Sequence, residues 1–160
     1  MNGQIWAIIG IALSTILCGI GSSLGLRSSV AATSGVLAGE PGRFSKVMVI
    51  TLLPATQGIY GLLISFMGLS HIPPLLEATA TAEQILANTQ AGVAVLVACL
   101  PMAIVGMVSA ILQGISASSA IATVGKKPEL SGKMIMFPAM IETYALLSLV
   151  VSIILLGKLA

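Results

Sequence analysis

Glu142 lies in the middle of MIMFPAMIETYALLSLVVSIILL, an apolar run long enough to cross a bilayer, and no other acidic residue of the chain falls inside a hydrophobic stretch. A carboxyl group at mid-membrane depth is costly to bury as an anion, so it is either neutralised by a proton or paired with a cation. Both describe ion carriage. The structural alternative is a protonated glutamic acid acting as an interhelical hydrogen-bond donor. Four more polar side chains fall at the same level. Glu142 follows Pro128 by fourteen positions and Gln113 precedes it by fifteen, which puts each about 21 Å along its helix from that turn. Fourteen positions also separate Pro41 from Ala55, and this brings Leu53, Thr56, Gln57 and Tyr60, spaced i, i+3, i+4 and i+7, to that level on one helix face. The Thr56 hydroxyl, the amide oxygens of Gln57 and Gln113 and the Glu142 carboxylate are hard oxygen donors that can replace the hydration shell of a small hard cation. A proton would need only the acid. Pro54 removes a helical N–H and leaves nearby carbonyls short of partners, so that one of them becomes a further candidate ligand.

The elements that must hold these groups are membrane helices. Hydrophobic residues make up 57% of the chain, charged residues 8%, and mean hydropathy is +1.10, which excludes a soluble domain. Four spans of the roughly 20 apolar residues that a bilayer requires are predicted near 4–37, 44–70, 84–124 and 131–158. The expected class is an all-α membrane protein. No basic stretch precedes the first apolar run, so the first helix is expected to be retained rather than removed as a signal. Arg27, Arg43, Lys46, Lys126, Lys127 and Lys133 are read as lying in or beside the first and third connections, which are therefore expected on the cytoplasmic side. The middle connection, with His71, Glu77 and Glu83, carries no Lys or Arg, and it is expected on the other side together with both termini. Net charge +2 then reflects topology and gives no reason to invoke nucleic acid. Cys18 and Cys99 fall inside hydrophobic helices without a second cysteine or a histidine nearby, which fits packing rather than a disulfide or metal site. His71, just before Pro73-Pro74, is read as interfacial.

The chain contains an internal repeat. EPGRFSKVMVITLLPATQGIYG aligns without a gap over KPELSGKMIMFPAMIETYALLS, matching Pro41 with Pro128, Lys46 with Lys133 and Thr56 with Thr143. Ala55 then takes the place of Glu142. The expected organisation is a first helical hairpin over 1–70 with no carboxylate, a connection over 71–83, and a second hairpin over 84–160 that carries Glu142. Small residues recur at every fourth position on the first helix (Gly10, Ser14, Cys18, Ser22; Gly21, Gly25, Ser29, Thr33) and the third (Gly106, Ala110, Gly114, Ser118, Ala122). Such stripes allow close backbone approach in lipid, and one per repeat suits an inner ring of helices with the small side toward its axis. GIGSSLG is not a phosphate loop, since no strand precedes it.

LLPATQGIYGLL, ILQG, KKPE and MIETYALL, in that order over essentially the whole chain, resemble the proteolipid K (c) subunits of V-type and V/A-type rotary ATPases, most of all those of sodium-translocating bacterial V-type enzymes. The resemblance implies a homo-oligomeric rotor ring in which Glu142 carries Na+, with H+ as competitor or alternative. Thr56, Gln57, Gln113 and the Leu53 carbonyl would complete the coordination, and Tyr60 would position Glu142 when the site is closed. It further implies a stator membrane subunit with an essential arginine, a central-stalk subunit at the cytoplasmic loops, residence in the cell membrane, and ATP hydrolysis in partner subunits rather than in this chain. Ala55 departs from the glycine of similar sequences. A small four-helix drug–proton antiporter also depends on one intramembrane glutamate, but that class carries the acid in its first helix and lacks the tandem repeat. A structural pore built on the small-residue stripes is the third class considered.

Overall fold

The computed structural model describes residues 3–77 and 79–159. Met1, Asn2, Ala78 and Ala160, at the edges of the expected hairpins and within the expected connection, lie outside them. The chain forms α1 (Gly3–Gly39), α2 (Phe44–Leu52), α3 (Thr56–Leu69), α4 (Ala82–Lys126), α5 (Ser131–Met134) and α6 (Met136–Gly157). Short 3₁₀ turns at Pro41–Arg43, Leu53–Ala55 and Pro128–Leu130 join them into four continuous membrane-length rods, Gly3–Gly39, Pro41–Leu69, Ala82–Lys126 and Pro128–Gly157. The molecule is thus two hairpins in tandem.

Proline marks the places where these rods change. Pro41 and Pro128 each open a rod, at the position where a missing N–H is harmless. Pro54 instead interrupts a rod and forces the Leu53–Ala55 turn, in which the Thr56 N–H bonds to the Leu53 carbonyl. Thr81 caps α4 in a reciprocal capping box with Gln84.

α1 against α4 is the most extensive helix pairing. Gly25 meets the backbone of Ala110, Gly114 meets that of Gly25, Gly21 meets Met107 and Gly10 meets Leu96 so closely that a Cβ at any of these glycines would collide with the facing helix. The small stripes therefore face each other inside the chain and not an open axis, because side-chain-free backbones gain dispersion contact that lipid cannot supply. Ala122 alone of the residues in these stripes is exposed. Hydroxyls tie α1 to the second rod: Ser14 donates to the Gly61 carbonyl (3.1 Å), Ser29 to that of Thr51 (2.8 Å), Ser65 to that of Ile11 (2.7 Å), and the Gly58 N–H donates to Ser22 Oγ (2.8 Å). Cys18 and Cys99 are buried, with Cys18 Sγ against the Met102 carbonyl, as the packing reading expects.

One basic residue sits elsewhere than expected. Arg27 lies inside α1, twelve positions before its end at Gly39, and is exposed. The first helix continues well beyond it because LRSSVAATSGVLA contains no proline, and an arginine is an ordinary helix former.

Candidate functional site

Between two buried apolar clusters, one around Ile64, Cys99 and Met102 and the other around Ile50, Ala117 and Ile121, the polar residues of three rods converge. Glu142 accepts at Oε1 from the Thr56 hydroxyl (2.7 Å) and at Oε2 from the Gln57 amide (2.9 Å) and the Gln113 amide (2.7 Å). Both glutamines are fully buried, whereas Thr56, Leu53 and Glu142 are half-buried. Burying an amide without partners costs about 2–7 kcal/mol; here every buried side-chain nitrogen and oxygen among the described residues has a hydrogen-bond partner.

The network fixes which way each amide points. Gln113 spends its two N–H groups on the Pro138 carbonyl (3.1 Å) and on Glu142, which turns its oxygen toward the Gln57 amide. Gln57 spends its two on Gln113 and Glu142, which leaves its own oxygen facing Thr56 Oγ1 at 3.4 Å. Thr56 Oγ1 then has three acceptors around it, Glu142 Oε1, the Leu53 carbonyl at 2.9 Å and Gln57 Oε1, and one proton to offer. Three acceptor oxygens thus surround one hydroxyl, and of them the Leu53 carbonyl also takes the Thr56 N–H. Such a cluster has lone pairs to spare and suits a hard cation.

The turn at Pro54 makes this possible. It brings the Leu53 carbonyl and the Thr56 side chain onto the same edge, where an uninterrupted α-helix would commit that carbonyl to the residue four positions on. Tyr60, one turn past Thr56 on the same face, is half-buried and lies beside Glu142 and Thr56. All six residues singled out in the sequence are brought together. The Pro138 carbonyl was missed: it sits one turn before Glu142 on the same face, and that i, i+4 relation to the acid was its available signal. Gln113 also differs from expectation, since its oxygen engages Gln57 and its nitrogen engages the carboxylate. His71, by contrast, stays far from the site, its Nδ1 3.1 Å from Ser70 Oγ and 3.0 Å from the Met67 carbonyl.

The second hairpin repeats half of this arrangement. Thr143 donates to the Met140 carbonyl (2.7 Å), as Thr56 does to Leu53, but Tyr144 stands where Gln57 would be.

Comparison with known proteins agrees with this duplication. The family model of the ATP synthase C-subunit matches residues 9–68 and again 96–155. The two stretches start 87 residues apart, the spacing of Pro41 from Pro128. The chain is 34% identical over 154 residues to V-type sodium ATPase subunit K of Enterococcus hirae, covering 96% of this chain and 92% of that one. It is 31% identical over 148 residues to A-type ATP synthase subunit K of Methanocaldococcus jannaschii, covering 92% of this chain and 60% of that relative. Neither the antiporter nor the structural-pore reading draws support from these matches.

Proposed function

The chain belongs to the ATP synthase C-subunit family, as a non-catalytic, ion-translocating proteolipid of the V/A-type rotary ATPases, and on that premise we propose that it carries Na+ on Glu142 as one unit of a rotor ring. The observation that carries the proposal is the cluster of four oxygens around one hydroxyl: Leu53 O, Thr56 Oγ1, Gln57 Oε1 and Glu142 Oε1. Sodium would take up the lone pairs that the Thr56 hydroxyl alone cannot satisfy. Gln113 closes the set from the inner side and holds the carboxylate in place through its amide, itself anchored on Pro138.

The cargo assignment also draws on the relative from Enterococcus hirae, which is named as a sodium ATPase subunit. Protons compete for the same carboxyl. Glu142 is half-buried on the outer side of its rod, beside the exposed Met140 and Tyr144, so an ion can be exchanged where that side meets a stator subunit. A stator arginine would displace the ion there by pairing with the carboxylate. The ring turns when partner subunits hydrolyse ATP, engaging it through a central stalk at the Pro41 and Pro128 turns on the cytoplasmic side, with both termini on the other side. The test is radiosodium binding to the purified membrane assembly. Wild type is expected to bind one sodium per chain and Glu142→Gln none; equal binding by both would overturn the assignment.

A further inference from the structure

α1 supplies none of the oxygens gathered at Glu142, yet it lies against the Pro54 turn that presents the Leu53 carbonyl. Three of its buried residues, Ser22, Gly25 and Ser29, spaced i, i+3 and i+7, share the face that meets this turn. Ser29 Oγ lies 2.8 Å from the Thr51 carbonyl, nearer than the 3.1 Å to the Leu26 carbonyl of its own helix, so it donates across to the second rod just before the proline. Ser22 Oγ accepts at 2.8 Å from the N–H of Gly58, just after it. An uninterrupted helix would commit that N–H to the Pro54 carbonyl. Between the two serines, a Cβ at Gly25 would stand 2.9 Å from Pro54 Cβ, so the glycine leaves the room that the proline ring takes.

The second hairpin is an internal comparison. The equivalents of Ser22, Gly25 and Ser29 are Ser109, Leu112 and Ser116, and those of Thr51, Pro54 and Gly58 are Pro138, Ile141 and Ala145. Ser109 bonds back to the Gly106 carbonyl of its own helix (3.2 Å), Leu112 is large and exposed, and α6 runs unbroken past Ile141. Proline alone does not produce the break either, since α4 continues without interruption through Pro101. The broken rod is the one whose backbone is held from α1 on both sides of its proline.

We propose that Ser22 and Ser29 are positioning residues for the ion: they clamp the backbone on either side of Pro54, hold the turn open, and so keep the Leu53 carbonyl and the Thr56 hydroxyl aimed at the place a cation takes beside Glu142. Neither serine touches the ion. Without the clamp the rod relaxes toward α-helical geometry, which draws the Leu53 carbonyl to the N–H four positions on and withdraws one ligand. The carboxylate stays in place, because Gln57 and Gln113 still donate to it. Ion binding then weakens without the site being lost. This inference rests on the sodium reading above and adds to it a helix that carries no ligand.

The experiment is sodium binding by the full chain in its purified assembly, read both as affinity and as ions bound per chain, for Ser22→Ala, Ser29→Ala and the two together. The double variant is expected to bind one sodium per chain with affinity lowered roughly 5- to 30-fold, the effect of losing two hydrogen bonds that orient a ligand, with each single variant in between. Ser22→Thr keeps a hydroxyl and is expected to bind more tightly than Ser22→Ala. Ser109→Ala, the same change at the equivalent position of the other hairpin, is expected to bind as the parent does. Parental affinity in the double variant, or an equal loss in Ser109→Ala, overturns the clamp and leaves the sodium reading standing. Fewer ions per chain at unchanged affinity also overturns it, since that is loss of folded sites and not of aim. Where the double variant does not assemble, the single variants carry the test, and parental affinity in both overturns the clamp. A parent assembly that binds no sodium overturns the clamp and the sodium reading together.

Discussion

At the scale of residues, Thr56 is the most discriminating position, because its oxygen touches every other oxygen of the set. Thr56→Ser keeps the hydroxyl and is expected to bind sodium within a few-fold of wild type. Thr56→Ala removes one ligand and one hydrogen bond to a carboxylate; interactions of that kind contribute about 1.5–3 kcal/mol, so sodium affinity should fall by roughly 10- to 150-fold. Calorimetric titration of the purified assembly with sodium checks both. Gln113→Ala should weaken binding to a similar degree while leaving assembly intact, since it leaves Glu142 Oε2 with the Gln57 amide alone and the Pro138 carbonyl without its amide partner. An unchanged affinity in both alanine variants would remove the coordination account. The residue types and the shared depth of the site were legible in the sequence, because a helix converts sequence spacing directly into height. What spacing does not convey is the direction of an amide. That Gln113 offers nitrogen to the carboxylate and oxygen to Gln57 follows from the Pro138 carbonyl, a group with no signature in residue type.

At the scale of elements, two features position the site: the glycine seam and the break at Pro54. Gly114→Ala places a methyl group against the Gly25 backbone, where neither helix can yield locally. Overpacking of this sort costs about 1–3 kcal/mol, and thermal unfolding of the solubilised protein should shift down accordingly. Gly157→Ala meets open space in the same helix-rich context and should leave the transition in place. Pro54→Ala restores a backbone N–H and lets the rod run through, so the Leu53 carbonyl is drawn into the helix and sodium affinity should drop with little loss of assembly. Four rods and their order were readable from hydropathy, and the small-residue stripes from their period of four. Their destination was not. A stripe says that something approaches closely without saying what, and the two stripes turned out to face one another inside the chain. Arg27 was grouped with the first connection because of its charge, although the predicted span near 4–37 already ran past it, as the helix to Gly39 does.

At the scale of the whole molecule, a duplicated hairpin with one mid-membrane carboxylate between its two copies defines the behaviour. Four membrane rods carry a single acid at mid-membrane depth, since Ala55 stands where Glu142 has its equivalent, so a ring of these chains moves fewer ions per turn than one with such an acid in each hairpin. Each ion then receives a larger share of the energy of ATP hydrolysis, against a requirement of about 2.3 kcal/mol per charge for every 100 mV. The complex should therefore pump against a steep gradient and make ATP poorly when a modest sodium gradient is imposed on proteoliposomes; ready synthesis there would contradict this gearing. The repeat itself was plain in the sequence, because Pro41 and Pro128 hold the register without a gap, but the bond from Thr143 to the Met140 carbonyl, which parallels that from Thr56 to Leu53, is a matter of side-chain rotamer that residue type does not convey. The central claim, that one carboxyl binds sodium in competition with protons, is tested most directly by carbodiimide labelling of Glu142 in the purified assembly. Labelling should be suppressed by sodium, and more strongly as pH rises and protons compete less; labelling that follows pH alone and ignores sodium would contradict the account.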